Sequence, residues 1–385
     1  METRSVDPAD IGRSFDIRTR SFGVAPASSR PGWEERARAA VDEGRSVGVY
    51  DDRLLVGRAV IWPFRQWWGG RPLPMAGIAG VVVSPEYRGR GVGTALMQGI
   101  LERSRELGYP LSVLYPATVP VYRRLGWEVA GSQYRVTIDT RLLRELRGGP
   151  RTVREAGPCD AGSMLEIMRR EYAESRANGP KDDDEAELRQ QLAEDSVFAY
   201  LCDDGYVVYG WEGEDLAVYQ LQAGDADAAR ALWSVVGSGS SIAKRVYAYL
   251  APDDPVHWLL PDVVAPSVHQ NRWMLRCCDV QAAVEGRGYA TGTSVDVALE
   301  ISDPQLPGNG FTGRLQVSDG RGRLVPGIGR GPVTRIGPNG FAALYAGASV
   351  SMLVAGGVVS GGDQESYALL DSAFSGRPAY LLEYF

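Results

Sequence analysis

Apolar and polar residues alternate along the first 140 residues with periods that predict a mixed succession of helices and strands. Asp7 and Pro8 begin the first predicted helix, with Asp7 as its cap and Pro8 at the first helical position. Gly108 and Pro110 mark the end of a longer helix that begins near residue 92. The predicted elements are helices at 7–20, 33–43 and 92–107, strands at 46–50, 54–62, 76–83 and 111–115, a short helix after residue 115, and a β-ribbon at 127–138.

The rest of the chain continues this alternation and then becomes richer in strands. Helices are predicted at 159–173 and 185–193, and strands at 197–202, 205–211 and 215–221. Asp319-Gly320 lies between two alternating runs and predicts a β-hairpin. The stretch 341–359 carries almost no charge, but glycines interrupt it, so we predict a buried helix followed by a strand there rather than a membrane span.

A length of 385 residues allows two or three domains of ordinary size. We predict three units, at 1–145, 146–272 and 273–385, of which the first two alternate helices and strands and the third is richer in strands. The glycine-rich and proline-containing segment 147–150 serves as the predicted linker between the first two.

A glycine-rich loop connects the third predicted strand to the helix at 92–107. Gly89, Gly91 and Gly93 allow a tight turn that brings backbone N–H groups toward a ligand. Because a helix begins there, these donors and the helix dipole converge on one anion site, which suits a pyrophosphate. Arg88 and Arg90 add positive charge. A tight strand–helix connection without any ligand explains the glycines about equally well.

The surrounding segment, GIAGVVVSPEYRGRGVGTALM, resembles motif A of the Gcn5-related N-acetyltransferases (GNAT), in which R/Q-x-x-G-x-G/A cradles the pyrophosphate of coenzyme A. The sequence contains neither the P-loop pattern nor a Rossmann glycine motif after a first strand. In the GNAT superfamily the preceding strand is splayed and binds pantetheine and the acetyl carbonyl. The resemblance therefore implies acetyl-CoA as the acetyl donor. The cofactor-binding residues it implies are Val81, Val82, Val83, Arg88, Gly89, Arg90, Gly91, Val92, Gly93, Thr94, Ala117 and Thr118.

The order of segments along the whole chain looks like the enhanced-intracellular-survival (Eis) acetyltransferases. The pattern W-x-x-R-x-x-D-V begins at Trp273 and leads into a strand-rich unit with an aromatic C-terminus. The resemblance implies the fold class: two GNAT-type mixed α/β domains, the second degenerate, plus a C-terminal α+β domain like sterol carrier proteins. It also implies a homohexamer.

The same resemblance implies an acid–base pair. Its general acid is Tyr122, in the segment Tyr-Arg-Arg-Leu-Gly-Trp, because a phenol is protonated at pH 7 and can donate to a departing thiolate. Its general base is the terminal carboxylate of Phe385, which requires the apolar tail at 380–385 to dock beside the first domain. Packing explains the tyrosine, and an ordinary buried strand explains the tail, without any catalytic role.

On the acceptor side, the resemblance implies that Asp279, in the R-x-x-D-V match, faces the amine pocket and attracts a cation, and Glu383 is another candidate. Phe22 and Trp33 are predicted to line the pocket. Helix capping, solvent exposure and core packing are the alternative roles of these residues. Gly80 lies just before Val81, at a position where a bulkier side chain would shape the pocket. We therefore expect the substrate range to differ from that of characterised relatives.

Four aromatic residues, called here the aromatic cluster, lie close together in the sequence near a predicted hairpin tip. We interpret it either as the rim of the pocket or as a subunit contact. Its members are Trp62, Phe64, Trp67 and Trp68.

The amino-acid composition disfavours several classes of function. The formal net charge of −7 disfavours a general binder of nucleic acid or of an anionic membrane and suits a cationic substrate. Two histidines and four cysteines without a CxxC spacing indicate neither a metal site nor a disulfide framework. The N-terminus lacks a basic-then-apolar signal, so we expect a cytoplasmic protein.

The first hypothesis is direct acetyl transfer to a primary amine of a polycationic small molecule, and the resemblance implies an aminoglycoside. The alternatives are a lysine or peptide N-acetyltransferase, and a non-catalytic protein that binds coenzyme A or lipid through the third domain.

Overall fold

The first GNAT-like unit surrounds the strand that leads into the glycine-rich loop. The structure is a computed structural model and describes residues 1–24, 26–146, 148, 150–260 and 267–385, so part of the predicted linker lies outside the described residues. The elements of this unit are β1 (Glu2–Ser5), α1 (Ile11–Phe22), α2 (Arg30–Asp42), β2 (Ser46–Asp51), β3 (Leu54–Trp68), β4 (Arg71–Val83), α3 (Val92–Glu106), β5 (Leu111–Leu114), α4 (Val119–Arg123), β6 (Glu128–Asp139) and α5 (Thr140–Glu145).

The second unit repeats the same kind of alternation, and the third is built around a separate sheet. The elements of the second are β7 (Arg154–Ala156), α6 (Ala161–Glu174), α7 (Glu185–Gln191), β8 (Val197–Cys202), β9 (Gly205–Glu212), β10 (Asp215–Ala223), α8 (Ala226–Gly237), β11 (Arg245–Leu250), α9 (Val256–Leu259) and β12 (Val268–Cys277). Those of the third are α10 (Val280–Gly286), β13 (Val295–Ile301), β14 (Phe311–Ser318), β15 (Arg321–Pro326), β16 (Thr334–Ile336), α11 (Pro338–Tyr345), α12 (Val350–Ala355), β17 (Val359–Gly361) and α13 (Gln364–Phe374).

A single sheet runs through both GNAT-like units, in the order β1-β2-β3-β4-β5-β12-β6-β11-β10-β9-β8-β7. Strand β12 lies between β5 and β6 of the first unit and pairs antiparallel with both. Strand β6 in turn pairs with β11 of the second unit. The two units therefore exchange strands, and β12 crosses the predicted boundary at residue 272. The segment predicted as a β-ribbon is the one strand β6, because it bonds to strands of distant sequence on both edges instead of turning back on itself.

The β3–β4 hairpin tip joins all three units. Its turn is Gly69-Gly70, and both glycines have positive φ (60° and 82°), which suits a two-residue hairpin. The Gly69 N–H donates to Asn178 Oδ1 at 2.8 Å, and a Cβ on Gly69 would lie only 2.0 Å from the carbonyl oxygen of Gly288. The second and third units thus contact this turn too closely for any side chain.

The predicted aromatic cluster divides along this hairpin. Trp67 and Trp68 are buried, and Trp68 stacks edge-on against Trp273 and Tyr345, so both tryptophans form core between the units rather than a pocket rim or a subunit contact. Trp62 does line a cavity in the first unit. Phe64 packs on the ring of the last residue, with centroids 5.1 Å apart.

The third unit has a five-stranded sheet, β15-β14-β13-β16-β17, covered by its helices. The charge-poor stretch forms α11, α12 and β17, which confirms the prediction of buried helix followed by strand. None of the described helices is long and apolar enough to span a membrane. All four cysteines are free thiols.

A fully buried ion pair links β12 to the third unit. Both oxygens of Asp303 accept from Arg276 Nη2, at 2.7 and 2.6 Å. Arg276 Nε also donates to the carbonyl of Leu125, just after the helix that carries Tyr122, at 3.0 Å. Asp303 also accepts from the side-chain amide of Asn309 at 2.9 Å and from the Leu306 N–H at 3.1 Å. A buried pair of this kind is strongly destabilising when one partner is removed.

We predict that Asp303→Ala lowers the free energy of unfolding by about 3–5 kcal/mol, because the guanidinium of Arg276 would stay buried without its counter-charge. Urea denaturation at pH 7 measures this loss. The matched control is Glu300→Ala, which removes an exposed pair with Arg335 and should cost less than about 1 kcal/mol. Equal losses for the two variants would contradict a structural role for the buried pair.

Candidate active site

The cleft of the first unit begins where β4 and β5 diverge. The two parallel strands pair only from Met75 to Gly77 of β4, which leaves the end of β4 without a partner on that side. On its other edge, the register with β3 shifts near Gly80, whose φ is +58°. A left-handed backbone at a bulge favours glycine. This conformation accounts for Gly80 without any reference to the shape of the pocket.

The glycine-rich loop follows directly. Gly89 and Gly91 have φ of +76° and +83°, and an added Cβ at either would meet open space, so the backbone rather than packing requires these glycines. Helix α3 begins at Val92, and no side chain among the described residues caps it. Its first N–H groups are therefore free to bind an anion. Arg88 and Arg90 are exposed beside them. This arrangement fits the pyrophosphate of coenzyme A.

A cavity of about 430 Å³ is lined in part by Ile78–Val81 of β4, the strand that leads into this loop. It is bounded by α1, α2, β3, β4, the end of β5 and the C-terminal tail. The residues predicted from the sequence that line it are Phe22, Trp33, Val81, Ala117, Tyr122 and Phe385. Val82 points into the protein core and is 2% exposed, so only its backbone can serve a ligand. Val83 and Thr118 lie outside the cavity lining.

Tyr122 lies on the short helix α4 and is 6% exposed. It lines the cavity, and its hydroxyl has no hydrogen-bond partner in the part of the chain that the structure describes. Burial, with a smaller contribution from Tyr384, raises the pKa of Tyr122 above the ordinary value for a phenol. The hydroxyl therefore keeps its proton at neutral pH and is available as a donor.

Hydrogen bonds along its backbone hold the C-terminal tail (Tyr380–Phe385) in place. The Leu381 N–H donates to the carbonyl of Ser132 at 3.3 Å, and the buried side chain of Gln133 donates to the carbonyl of Leu382 at 2.7 Å. Farther along, the Tyr115 hydroxyl donates to the carbonyl of Glu383, also at 2.7 Å. Each of these donors or acceptors belongs to the first unit, so the chain end is held beside its cleft.

The last two side chains pack on aromatic residues of the first unit. The ring of Phe385 lies 5.1 Å from Phe64 and 5.6 Å from Tyr115, measured between centroids. The ring of Tyr384 lies 4.6 Å from Tyr115. Phe385 lines the cavity together with Tyr122, as the resemblance required.

Two predicted acceptor residues lie elsewhere. Asp279 caps helix α10, where its Oδ1 accepts from the Ala282 N–H at 2.9 Å, and it does not line the cavity. This corrects the prediction, since a carboxylate before a helix satisfies a free backbone donor. Glu383 is also absent from the lining, and one of its carboxylate oxygens is buried without a partner. Burial and Asp183 raise the pKa of Glu383, whereas Lys181 lowers it.

The acceptor side of the cavity is positively charged, which the sequence did not predict. Arg18 on α1, Arg36 on α2 and Arg58 on β3 line it, and none of the three makes an ion pair with any described residue. Arg58 is only 4% exposed, and its guanidinium lies over the ring of Trp33 at 5.0 Å. Burial and the charge of Arg18 lower the pKa of Arg58 to about 10, so it remains charged at pH 7. No Asp or Glu is among the lining residues that the structure describes.

We predict that Tyr115→Phe loosens the tail, because it removes the hydroxyl that holds Glu383. A hydrogen bond of this type contributes about 0.5–1.5 kcal/mol, so carboxypeptidase should release Phe385 roughly two- to tenfold faster. Tyr219→Phe, in the second unit, is the control and should leave the rate unchanged. Equal release rates from all three proteins would show that this bond does not hold the tail.

Comparison with known proteins agrees with this architecture. Residues 2–130 and 172–277 each match the description "Acetyltransferase (GNAT) domain", and residues 280–382 match "Sterol carrier protein domain". N-acetyltransferase Eis of Mycobacterium tuberculosis is 30% identical over an alignment of 330 positions that covers 79% of this chain and 78% of that protein. An uncharacterized N-acetyltransferase of Streptomyces avermitilis is 30% identical over 337 residues, 80% of each chain.

Solved structures share the fold over its full length. A GCN5-related N-acetyltransferase from Kribbella flavida superposes with a TM-score of 0.96 at 46% identity, covering 100% of this chain and 98% of that one. Eis1 from Mycobacterium abscessus superposes with a TM-score of 0.76 at 23% identity, covering 100% of both chains, which shows the common fold. With two GNAT domains followed by a sterol-carrier-like domain, the chain belongs to the Eis-like family of GCN5-related N-acetyltransferases.

Proposed function

We propose that this N-acetyltransferase moves the acetyl group of acetyl-CoA to a primary amine of a small molecule that also carries an anionic group. The observation behind the proposal is the composition of the cavity in the first domain. It brings Tyr122 and the chain end at Phe385 together with three arginines that have no ion-pair partner in the described part of the chain. Groups that would transfer protons thus share one cavity with groups that would bind an anion.

The donor half of the site uses backbone groups. The free N–H groups at the start of α3 would bind the pyrophosphate, and the unpaired edge of β4 would bind pantetheine and polarise the acetyl carbonyl. Positioning by the strand and the helix places the thioester at the cavity in which the amine is held.

The transfer needs one base and one acid. The carboxylate of Phe385 takes a proton from the substrate ammonium, and the free amine then attacks the thioester carbonyl. A new C–N bond forms while the C–S bond breaks, and Tyr122 donates its proton to the departing thiolate. The amide nitrogen then gives its extra proton to the Tyr122 phenolate, and the carboxyl group of Phe385 releases its proton to solvent, so both groups return to their starting states. The products are the amide and coenzyme A. None of the four cysteines lines the cavity, which is consistent with a direct transfer that forms no acyl-enzyme.

The charge of the cavity bears on the acceptor. Three arginines repel a polycation such as an aminoglycoside, and Asp279 and Glu383, which were predicted to attract it, do not face the cavity. An amine that also carries a carboxylate or a phosphate gains charge-assisted hydrogen bonds instead. Such an acceptor therefore fits better than the aminoglycoside that the resemblance implies. A lysine side chain has no anionic group of its own to engage the arginines.

A non-catalytic lipid-binding role has less support. The interior of the third domain holds the buried guanidinium of Arg287, which donates to the carbonyl of Tyr345 at 2.7 Å. The rings of Tyr289, Tyr345 and Phe374 surround this charge at 4.6–5.3 Å. An apolar ligand would have to displace a charge that is already well bonded. The hexamer and the cytoplasmic location stay predictions from the family resemblance and the sequence.

We predict that Tyr122→Phe lowers kcat about 10²- to 10⁴-fold, because the thiolate would leave without a proton donor. The dissociation constant for acetyl-CoA should stay the same, since the pyrophosphate site is untouched. Thiol release from acetyl-CoA and calorimetric binding measure the two quantities. Tyr109→Phe, on a partly buried tyrosine that does not line the cavity, is the control. An unchanged kcat in Tyr122→Phe would contradict the assignment of the acid.

We predict that Arg58→Met weakens the preference of the enzyme for anionic acceptors. The value of kcat/KM for glutamate and for 2-aminoethylphosphonate should fall about 10- to 100-fold, because a charge-assisted hydrogen bond to the buried guanidinium is lost. Glutamate diamide, which is uncharged at those positions, should change little. Arg53→Met, at an exposed turn, is the control. A wild-type enzyme that turned over aminoglycosides but none of the anionic amines would refute the proposed acceptor class.

A further inference from the structure

A second cavity, of about 500 Å³, lies in the degenerate GNAT domain. It is bounded by α6, the end of β10, the start of α8, the end of β11 and the C-terminal tail. Strands β10 and β11 are parallel and pair only from Leu216 to Val218 of β10, and the cavity opens beyond that point. Strand β10, helix α8 and strand β11 therefore repeat the arrangement of β4, α3 and β5. The cavity is the counterpart of the coenzyme A cleft in the first domain.

This second cleft is not built for a pyrophosphate. Where the first domain has a glycine-rich loop with arginines, the second has Asp225 at the cap of α8. The Asp225 carboxylate accepts from the Ala228 N–H at 2.8 Å, so the helix start already carries an anion. The charge of Asp225 is balanced by Arg151. A phosphate brought to this helix would meet a carboxylate instead of free N–H groups.

The lining carries carboxylates that no cation balances. Asp253 lines the cleft but is bonded to Arg377 from the tail, with both distances 2.8 Å. Glu171 on α6 and Asp254 after β11 also line it. Neither forms an ion pair with a residue in the described ranges, although Asp254 Oδ1 accepts from the Val256 N–H. Two carboxyl groups without an ion-pair partner among the described residues therefore line the cavity.

A largely buried tyrosine with an unpartnered hydroxyl adds a second signal. Tyr380 in the tail is 4% exposed and lines the cleft, and its hydroxyl has no hydrogen-bond partner among the described side chains and backbone groups. Because this largely buried side chain lines the cavity, its unpartnered hydroxyl is available to a ligand there. The rest of the wall is largely apolar or aromatic, including Tyr172, Leu221, Trp233 and Leu250. A cation with an apolar body satisfies both parts of this lining.

We propose that the second cleft binds an organic cation with an aromatic or alkyl body, at a site separate from the acetyl acceptor. Tyr380 and Leu382 line this cleft, whereas Tyr384 and Phe385 line the catalytic cavity. A ligand here contacts the same six-residue tail that carries the terminal carboxylate. Binding in the second cleft does not depend on the identity of the acetyl acceptor.

The affinity for a permanent cation should depend on pH. Burial raises the pKa of Glu171 to about 7, assisted by Glu174 and Asp204 and opposed by Arg170 and Arg377. Below that pH the carboxyl is neutral and attracts a cation less. Affinity should therefore increase as the pH rises from 6 to 8.

Asp254 acts in the same direction at slightly lower pH. Burial raises its pKa to about 6, together with Asp253, while the Val256 N–H, His257 and Arg377 oppose the rise. Both groups are ionised at pH 8, where binding should be strongest.

Calorimetric titration of the full chain with phenethyltrimethylammonium tests the proposal. This probe keeps its charge at every pH and has no N–H to acetylate, so it reports on binding without turnover. We expect one site at pH 8, at least threefold weaker binding at pH 6, and about tenfold weaker binding to Glu171→Gln. Glu166→Gln, exposed on the same helix, is the matched control and should bind as wild type does. Saturating acetyl-CoA should leave the affinity unchanged.

The outcomes are distinct. Equal affinity of wild type and Glu171→Gln would overturn the proposal, and so would equally tight binding of the neutral 2-phenylethanol. A second equivalent of acetyl-CoA bound per chain would also overturn it, because the cleft would then accept an anion. Asp254→Asn, which keeps the oxygen that accepts from Val256, gives an independent test if Glu171→Gln fails to fold. Probe affinity lost in Trp33→Ala but retained in Glu171→Gln would place the cation in the acceptor cavity and overturn the assignment.

Discussion

The docking of the C-terminal tail is the constraint on which the proposed chemistry depends. A chain end normally frays, yet here Ser132, Gln133 and Tyr115 bond the backbone of the tail, and aromatic rings hold its last two side chains. Those partners are in position because β12 is inserted between β5 and β6 and joins the GNAT domains in one sheet. The position of the proposed general base in one domain thus depends on the assembly of all three.

The two GNAT domains have the same framework but opposite charge. In the first, a helix start without a cap and three free arginines make a cleft that attracts anions. In the second, Asp225 caps the corresponding helix, and Glu171 and Asp254 make the cleft acidic. The second domain, which has no glycine-rich loop at this helix, thus contains a cavity with different electrostatics rather than a filled core. The tail contributes side chains to both clefts, which provides a physical connection between them.

The helices and strands of the first domain could be predicted from the sequence because their signals are local. Helix caps, glycines before α3 and apolar periodicity depend on neighbouring residues, and the segment around Tyr122 matched a known family. The strand exchange of β12 could not be predicted, because each of its partners is more than 130 residues away and its own pattern is that of any buried strand. The prediction of a β-ribbon at 127–138 was wrong for the same reason, because the partners of β6 are also distant in the sequence.

The charged residues of the site were harder to predict. Asp279 precedes a helix, and this position signals a cap as clearly as it signals a ligand. The direction in which the Glu383 side chain points depends on which face of the tail packs against the second domain. Arg18, Arg36 and Arg58 come from three separate elements, and their convergence on one cavity depends on the tertiary fold. The net charge of the chain did not predict the charge of the cavity, because a chain with a net charge of −7 has a cavity lined by three arginines.

The central claim is that the terminal carboxylate of Phe385 acts as the base. Peptide ligation can rebuild the chain with a C-terminal carboxamide, which keeps the ring, the tail contacts and the shape but cannot be ionised. The account predicts that kcat for an amine acceptor at pH 7 falls at least 100-fold in the carboxamide protein. Acetyl-CoA binding should be retained, and the same ligation with a native carboxylate should restore full activity. Equal turnover by the carboxamide and carboxylate proteins would contradict the account.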